Sequence, residues 1–402
     1  MANIILDTLF YIVVYASIFI SVFWFTTFLT SENKVVARKR EYPALSIIIP
    51  AYNEAKSIPS CIKSLVMQKY PKLKLIVVND GSTDNTGTVV KGLMKKYRNM
   101  VYVEKRNGGK ASALNTGLKY VNTELFGFID ADTLLSANAL KSMVNYIDGR
   151  AVAVIAAIKP HKPKNFMERL QKIEYLIASF TRRLMAFLDS LYFTPGFALY
   201  KTSVIKQLGG FDEKNITEDL EIGLRLKNHG YIIENSTDDY AYTAVPKDIK
   251  SLFRQRIRWY RGSIYNTRKY SHVLFNKKFG DLGIFVLPAQ YMLLAVVIPF
   301  LLLSIFDGIK YIAQRVIDIF ITNFDINYLL STFQINIITP TTIFLLISLA
   351  SFLLMVSISQ KNIRERVNKI DYVMYIMVYP FLHLFLWMVA LTYEALKIRR
   401  KW

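Results

Sequence analysis

Long apolar runs at the two ends of the chain flank a middle region in which apolar and polar stretches alternate. The first run, residues 4–30, contains a single charged residue, Asp7. At about 1.5 Å of rise per residue it is longer than the roughly 30 Å hydrocarbon core of a bilayer, so it predicts a membrane-spanning helix. The basic residues that follow it are Lys34, Arg38, Lys39 and Arg40. By the positive-inside tendency, they predict that the next region lies in the cytoplasm.

Three further runs without Asp, Glu, Lys or Arg lie in the last third of the chain, at residues 282–306, 326–360 and 372–393. Each is long enough to cross a bilayer. The basic loop 361–369 and the basic C-terminal residues 397–401 both favour the cytoplasmic side of the membrane. One leading span and three later spans would instead put the C-terminus outside. A hairpin at Pro380 or a partial insertion of residues 308–325 would remove the conflict. We therefore expect four or five spans in a multi-pass protein of the plasma membrane, with the side of the C-terminus left open.

Short β-branched runs and amphipathic stretches alternate between residues 43 and 250. The predicted elements are a strand at 45–50, a helix at 56–70, strands at 75–80 and 101–104, a helix from 110 and a strand at 125–130. This βαβ spacing predicts an α/β domain with a Rossmann-like, mostly parallel sheet between helices. Ligands of such sheets bind beyond the carboxyl ends of the strands. The acidic residues that follow predicted strand ends are Glu54, Asp80, Asp130 and Asp132.

A long amphipathic stretch follows the predicted sheet strands. Apolar residues recur every three or four positions from Phe166 to Leu191, beside basic residues. No second long heptad is available for a coiled coil, so the pattern favours a helix over about 163–192 that lies on the membrane surface or against the spans. The predicted organisation is a transmembrane helix at 1–31, a cytosolic domain at 32–248, amphipathic or interfacial helices at 249–280 and a transmembrane region at 281–402.

Composition and charge narrow the classes of function. Aromatic residues make up 14% of the chain, which excludes a disordered tail, and the single cysteine excludes a disulfide framework. No GxGxxG opens a helix, and residues 107–110 lack the spacing of a P-loop. The formal charge of +21 would suit a basic membrane protein that binds nucleic acid or anionic lipid. No nucleic-acid-binding signature is present, and membrane topology already explains basic loops, so we expect no nucleic-acid partner.

Two acidic motifs could carry chemistry. Asp130 and Asp132 follow an apolar strand, and two such carboxylates can share one hard divalent cation; the plainer alternative is a polar strand end with an Asx turn. Glu218 and Asp219 begin a predicted helix, where acids suit the helix dipole. The functional alternative is a carboxylate that accepts a proton from an attacking hydroxyl.

A third motif lies in the predicted helix that follows the domain. Gln255, Arg258 and Trp259 are spaced i, i+3 and i+4, so they share one helix face. A guanidinium pairs with phosphate oxygens and an indole stacks on a sugar ring, which together suit a sugar diphosphate. A basic juxtamembrane helix that contacts anionic lipid is the competing interpretation.

The three motifs together, in this order, resemble those of family 2 membrane glycosyltransferases of the GT-A fold. The resemblance also covers residues 50–54, 78–82 and 109–110, and so extends over nearly the whole predicted soluble domain. Relatives that share the motif set include cellulose, chitin, hyaluronan and poly-N-acetylglucosamine synthases, and the compact chain resembles the last of these most.

The resemblance implies a role for each matching residue. The uridine would be held by Tyr52, Glu54 and Asp80, with Asp80 at the base. Lys110 would lie near the donor sugar or its phosphates, with Asp130 also at the nucleotide sugar. The metal, Mg²⁺ or Mn²⁺, would be engaged on the diphosphate by Asp130 and Asp132.

The remaining implied roles concern catalysis and the acceptor. Asp219 would be the general base, with Glu218 beside it. The donor cap and the acceptor end would be formed by Gln255, Arg258 and Trp259. Pro195 and Gly196, within residues 193–197, take the place of the family's acceptor-site loop. This loop departs from the versions found in cellulose synthases, which counts against that polymer.

The reaction that the resemblance implies is one in-line displacement, in which a metal-dependent hexosyltransferase inverts an α-linked UDP-sugar to a β-linkage. We expect polymerisation of UDP-N-acetylglucosamine or another UDP-hexose and translocation of the polysaccharide. The alternative is transfer of one sugar to a membrane lipid such as polyprenyl phosphate. Because four spans are few for a polymer channel, an accessory subunit or self-association is expected beside contacts with membrane lipids.

Overall fold

The computed structural model describes residues 2–31, 41–321, 340–363 and 365–399. The basic residues 34–40, the first part of the predicted run 326–360 (residues 326–339) and the basic residues 400 and 401 fall outside the described part. The chain divides into two compact units. One comprises Met1–Thr30 and Leu287–Ile358, and the other comprises Ser31–Val286 and Ser359–Trp402.

In the described part of the chain, helices and strands are interspersed up to residue 248, and helices alone follow. The α-helices are α1 (Ala2–Thr30), α2 (Ile58–Val66), α3 (Thr86–Lys96), α4 (Lys110–Leu118), α5 (Ala139–Met143), α6 (Phe166–Phe187), α7 (Thr202–Gln207), α8 (Glu218–Asn228), α9 (Ile249–Lys269), α10 (Leu287–Ile321), α11 (Pro340–Ile363) and α12 (Lys369–Ala395). The strands are β1 (Leu45–Ala51), β2 (Leu73–Asn79), β3 (Met100–Glu104), β4 (Leu125–Ile129), β5 (Leu134–Leu135), β6 (Ala151–Pro160), β7 (Phe197–Lys201) and β8 (Ile232–Thr243).

The second unit is built on one eight-stranded sheet of order β3-β2-β1-β4-β7-β6-β8-β5. Strands β3, β2, β1 and β4 are parallel, β7 is antiparallel to both neighbours, and β6 and β8 are parallel again. The predicted Rossmann-like sheet is therefore present, and its second half is mixed. Because β7 is antiparallel to both β4 and β6, β6 runs in the same direction as β4. The carboxyl ends of β1, β2, β4 and β6 therefore lie at the same edge of the sheet.

The central strands have continuous apolar sequences because both faces of the sheet are buried. In β1 the isoleucines at 47, 48 and 49 are fully buried, and they divide between two cores on opposite faces of the sheet. A strand that is covered on both faces loses the alternation of polar and apolar residues and keeps β-branched side chains.

Helix α6 is packed tightly within the second unit. It lies against β6, β8 and α12. Its start is fixed by Asn165, whose side chain accepts from the Glu168 backbone N–H while the Glu168 carboxylate accepts from the Asn165 N–H. The Arg169 side chain forms an ion pair with Asp371 of α12, with an Nε–Oδ2 distance of 3.0 Å. The predicted location on the membrane surface stays a prediction, and the contact with α12 shows one partner of the amphipathic face.

Within the described residues, three helical segments are long and apolar enough to cross a membrane: Ile4–Thr30, Leu282–Ile321 and Lys369–Ala395. The last is continuous through Pro380, so the hairpin considered from the sequence does not form. Residues 308–321 continue α10 as helix. The total of four or five spans remains a prediction, because residues 322–339 are outside the described part.

Helix α9 approaches the start of α8 so closely that only glycine fits at the contact. A Cβ built on Gly262 would lie 2.3 Å from Thr217 Oγ1. Asn266, one turn further along α9, donates to Thr217 Oγ1 over 3.0 Å. The position of Glu218 and Asp219 thus depends on the packing of α9.

We predict that Gly262→Ala lowers the thermal unfolding temperature, because overpacking at a tight contact costs about 1–3 kcal/mol. The matched control is Gly92→Ala, in α3, where a Cβ would meet nothing within 4 Å. That change should raise the unfolding temperature, since alanine is favoured over glycine in a helix by about 1 kcal/mol. Thermal melts of the detergent-purified protein check both; equal shifts of the same sign would contradict the close contact.

Candidate active site

The carboxyl-end edge of the sheet holds a partly buried cluster of opposite charges. Lys110, the first residue of α4, places its ammonium 2.5 Å from Asp130 Oδ1 and 3.2 Å from Glu218 Oε1. One lysine therefore joins the carboxylate that follows β4 to the carboxylate that begins α8. Burial lowers the pKa of Lys110, but the charges of Asp130, Glu218 and Asp219 outweigh it and raise the pKa, so the lysine is charged.

Asp132 is crowded by other carboxylates. Burial, followed by repulsion from Asp130 and Glu54, raises the pKa of Asp132 to about 6. A divalent cation would relieve this repulsion, because it supplies positive charge beside the carboxylates. No group of three or more His, Cys, Asp or Glu side chains among the described residues could hold a metal alone. A cation at Asp130 and Asp132 would therefore need further oxygen ligands, such as those of a bound diphosphate.

The start of α8 presents two carboxyl groups to the same cluster. Glu218 is 1% exposed, and its Oε2 has no hydrogen-bond partner among the described residues. Asp219 is partly buried, and its Oδ1 accepts from the Leu220 N–H at 2.9 Å. Burial and the Glu218 charge raise the pKa of Asp219 to about 6, although Lys110 and Arg258 oppose the shift. Asp219 can thus exchange a proton near neutral pH, as a general base must.

The backbone of Asp219 is held by the loop that precedes β7. The Thr194 N–H and hydroxyl both donate to the Asp219 carbonyl, at 3.1 and 3.0 Å. The Tyr200 hydroxyl donates to Thr194 Oγ1 at 2.7 Å. Pro195 and Gly196 follow directly, and Gly196 has a φ of 69°, a conformation that favours glycine. The predicted acceptor loop is therefore attached to the residue predicted as the base.

Helix α9 brings Arg258 of the third motif to the same place. The Arg258 guanidinium donates through Nη1 to the Ile216 carbonyl at 3.0 Å, two residues before Glu218. Its positive charge is close enough to lower the pKa of Asp219. Arg258 is therefore both a support for the start of α8 and a cation at the cluster.

The two other motif residues meet an arginine that the sequence motifs did not single out. Arg256 is 1% exposed and forms a bidentate ion pair with Glu174 of α6, with Nε–Oε1 and Nη2–Oε2 distances of 3.2 and 2.5 Å. It also donates to Gln255 Oε1, and its guanidinium lies 4.2 Å from the centroid of the Trp259 ring. One face of Trp259 is thus covered by a cation, as a cation–π contact requires.

Hydrogen bonds join the loops that are predicted to hold uridine. Asn53 Oδ1 accepts from the Thr83 N–H at 2.8 Å, and the Glu54 N–H donates to Thr86 Oγ1 at 2.8 Å. The Glu54 carboxylate accepts from the Ser57 hydroxyl. Tyr52 is 49% exposed beside them. These loops form a rim with an exposed aromatic ring.

Asp80 has a structural role that the sequence did not indicate. It is 3% exposed, and Oδ1 accepts from Lys105 Nζ at 2.6 Å and from the Gly108 N–H at 3.0 Å. Its other oxygen accepts from the Gly109 N–H at 2.8 Å. Asp80 therefore fixes the loop that leads into Lys110, and its predicted contact with a nucleobase remains a prediction.

Known proteins that are similar to this chain are glycosyltransferases. Residues 46–209 match the family described as "Glycosyl transferase family 2". Two similar curated proteins are poly-β-1,6-N-acetyl-D-glucosamine synthases, one from Staphylococcus epidermidis (29% identity) and one from Staphylococcus aureus strain COL (27% identity). Each alignment covers 260 residues, which is 61% of this chain and 63% of the relative.

A solved structure shares the fold. It is the mannosyltransferase PcManGT from Pyrobaculum calidifontis in complex with GDP-Man and Mn²⁺, with a TM-score of 0.63 and 22% identity. The superposition covers 88% of this chain and 98% of that one. The GT-A fold predicted from the sequence is thereby confirmed, and residues 46–209 are similar to the glycosyltransferase family 2 model.

Proposed function

We propose that this protein is an inverting, metal-dependent hexosyltransferase that polymerises a UDP-sugar, UDP-N-acetylglucosamine or another UDP-hexose, into a β-linked polysaccharide and translocates it. The observation that carries the proposal is the Lys110 ammonium, which bridges Asp130 and Glu218. It brings a carboxylate that could bind a metal to the same sheet edge as Asp219, a possible base with a raised pKa. The similar staphylococcal synthases support the choice of sugar and of polymer.

Binding of the donor is assigned to the strand-end loops. Tyr52, Glu54 and Asp80 would contact the uridine, and Lys110 would contact the phosphates or the donor sugar. Asp130 and Asp132 would hold Mg²⁺ or Mn²⁺, which supplies charge stabilisation for the diphosphate when bound. Gln255 and Arg258 would cap the diphosphate from α9, and Trp259 would stack on a sugar with Pro195 and Gly196 alongside.

Transfer is assigned to Asp219. Its carboxylate takes the proton of the acceptor hydroxyl while that oxygen forms a bond to the anomeric carbon of the donor. The bond from the anomeric carbon to the diphosphate breaks on the opposite side, and UDP leaves with the electron pair. Arg258 and Lys110 stabilise the charge on the leaving group. Glu218 lies beside this base, and its Oε1 is 3.2 Å from the Lys110 ammonium, so it helps to hold Lys110 at the site.

The chain is assigned to the plasma membrane with this domain in the cytoplasm, which the three candidate spans support. The growing chain would be the acceptor, and an accessory subunit or a second copy would complete the translocation path. The alternative acceptor is a membrane lipid such as polyprenyl phosphate that receives a single sugar, and the size of the product distinguishes the two.

We expect one polymer from one donor. Purified protein should release UDP from UDP-N-acetylglucosamine with Mg²⁺ or Mn²⁺ and form labelled material of high molecular weight, and a chelator should abolish both. UDP-glucose and UDP-galactose in the same assay identify the sugar. UDP release with only a small, solvent-extractable product would establish the single-transfer alternative, and no turnover of any donor would contradict the proposal.

Asp219→Asn should abolish transfer and change the dissociation constant for UDP by no more than several-fold, because the amide keeps the shape of the side chain but cannot take a proton. General base catalysis is typically worth about 10²–10⁴-fold. Glu213→Gln, an exposed carboxylate near α8, is the matched control and should retain activity. Loss of UDP binding in the Asp219 variant would remove Asp219 from the role of base.

The rate should also report the pKa of Asp219. A base of pKa about 6 is protonated at lower pH, so kcat/KM should rise with pH through about 6 and then level off. A pH profile of UDP release, with the unfolding temperature followed at each pH, separates titration from unfolding. A flat profile between pH 5 and pH 8, values that lie roughly one to two units on either side of this pKa, would contradict the assignment.

A further inference from the structure

A second cationic site lies beyond the end of β6, outside the cluster around Lys110. It is a cavity of about 350 Å³, with walls from β6, β8, α6 and the segment between α11 and α12. Its volume is within the range of small-molecule sites in proteins. Three of its lining residues are lysines: Lys159, Lys162 and Lys172.

Two of these lysines form ion pairs with one carboxylate. Lys159 Nζ lies 3.2 Å from Glu365 Oε1, and Lys172 Nζ lies 2.7 Å from Glu365 Oε2. Each carboxylate oxygen thus has its own ammonium group. Burial raises the pKa of Glu365, but the hydrogen bond from Lys172 and the charge of Lys159 outweigh it and lower the pKa.

The cationic groups are held in place before any ligand binds. Lys159 is 6% exposed, and its ammonium lies 3.4 Å from the centroid of the Tyr240 ring. Lys172 also donates to the Arg366 carbonyl at 3.0 Å. Fixed donors lose little side-chain entropy when they bind an anion, so the arrangement is preorganised.

Positive charge exceeds negative charge in this cavity. Of the residues that line it within the described part of the chain, Glu365 is the sole carboxylate, against three lysines. A phosphate monoester carries up to two negative charges and three terminal oxygens, and a phosphodiester headgroup carries one charge and two terminal oxygens, as a carboxylate does. An ammonium pair spaced for two oxygens therefore suits a phosphate at least as well as Glu365.

The surroundings of the cavity fit an amphiphilic ligand. Pro160, Pro163 and Leu176 provide apolar wall beside the ammonium groups. Glu365 precedes the first residue of α12, a candidate span, by four positions. Basic pockets at the cytoplasmic end of membrane helices bind lipid headgroups.

We propose that this cavity is a binding site for a phosphate-bearing anion, in which Lys159 and Lys172 contact the phosphate oxygens and Glu365 is the intramolecular carboxylate that the ligand displaces. A lipid headgroup and a small soluble compound are the two sources of such a phosphate, and release of Glu365 frees the segment that leads into α12. Anion binding at this cavity does not depend on the proposed glycosyl transfer, because no reaction step is involved.

The test uses the full chain, purified in an uncharged detergent and stripped of lipid. In the first arm, native mass spectrometry counts bound dioleoylphosphatidylglycerol, with dioleoylphosphatidylcholine as the zwitterionic comparison, whose phosphate is already paired with its own ammonium group. In the second arm, inorganic phosphate is titrated and the unfolding temperature is followed. Binding of the anionic lipid alone identifies a headgroup site, and a response to phosphate identifies a site open to soluble anions.

Two substitutions should act in opposite directions. Glu365→Gln removes the competing charge and should tighten binding several-fold. Lys172→Met removes one charged contact and should weaken binding about tenfold or more. Lys91→Met, at the exposed ion pair with Glu104, is the matched control and should leave binding unchanged.

The variants also keep the test independent of folding and of the active site. Glu365→Gln preserves side-chain volume, so its gain in affinity cannot come from a damaged fold. Anion binding at the Lys110 cluster would be unaffected by either substitution. Opposite shifts of the two variants with either probe support the proposal, and any other pattern overturns it.

Discussion

The ammonium group of Lys110 is the contact on which the proposed site depends. The carboxyl-end edge of the sheet brings together Asp130 and Asp132 after β4 and Glu218 and Asp219 at the start of α8. Without a cation, these groups would repel each other in a partly dry setting, where charge interactions are stronger than in water. Lys110 contacts one carboxylate from each pair. It therefore joins two elements that lie about ninety residues apart in the chain. Burial and the neighbouring carboxylates keep the pKa values of Asp132 and Asp219 raised, although the charge of Lys110 lowers both.

Helix α9 provides the mechanical support for this cluster. Arg258 and Gly262 hold the residues before α8, the first by a hydrogen bond and the second by a close contact. On another face of α9, Arg256 is paired with Glu174 of α6, and the Tyr379 hydroxyl of α12 donates to the same carboxylate at 2.5 Å. The proposed base, the proposed donor cap and a candidate span are thus attached to one helix within one compact unit. Three successive contacts, Tyr379–Glu174, Glu174–Arg256 and Arg256–Trp259, connect α12 to the Trp259 ring.

Much of the sheet and the site could be predicted from the sequence, for reasons that individual elements illustrate. Strands β1, β2 and β4 are short β-branched runs that end in polar turns, so their position and the edge that they share follow from local pattern. The predicted helix at 56–70 was too long, because the structure ends it at Val66, where the chain turns towards β2. Strand β7 was not predicted, because its run of five residues is short. Its antiparallel direction could not be predicted either, because no local pattern indicates the direction of a strand.

The sequence by itself determined the order of apolar runs, the βαβ spacing and the three motifs, because each depends on residues that are neighbours in the chain or along one helix face. Only the tertiary structure decided which charges neutralise one another. The hydrogen bonds that Asp80 accepts, the Arg256–Glu174 pair and the lysines around Glu365 all join residues that are more than twenty positions apart. Burial makes such pairings necessary, since a charge removed from water must find a partner, but the identity of that partner depends on which elements the fold brings together.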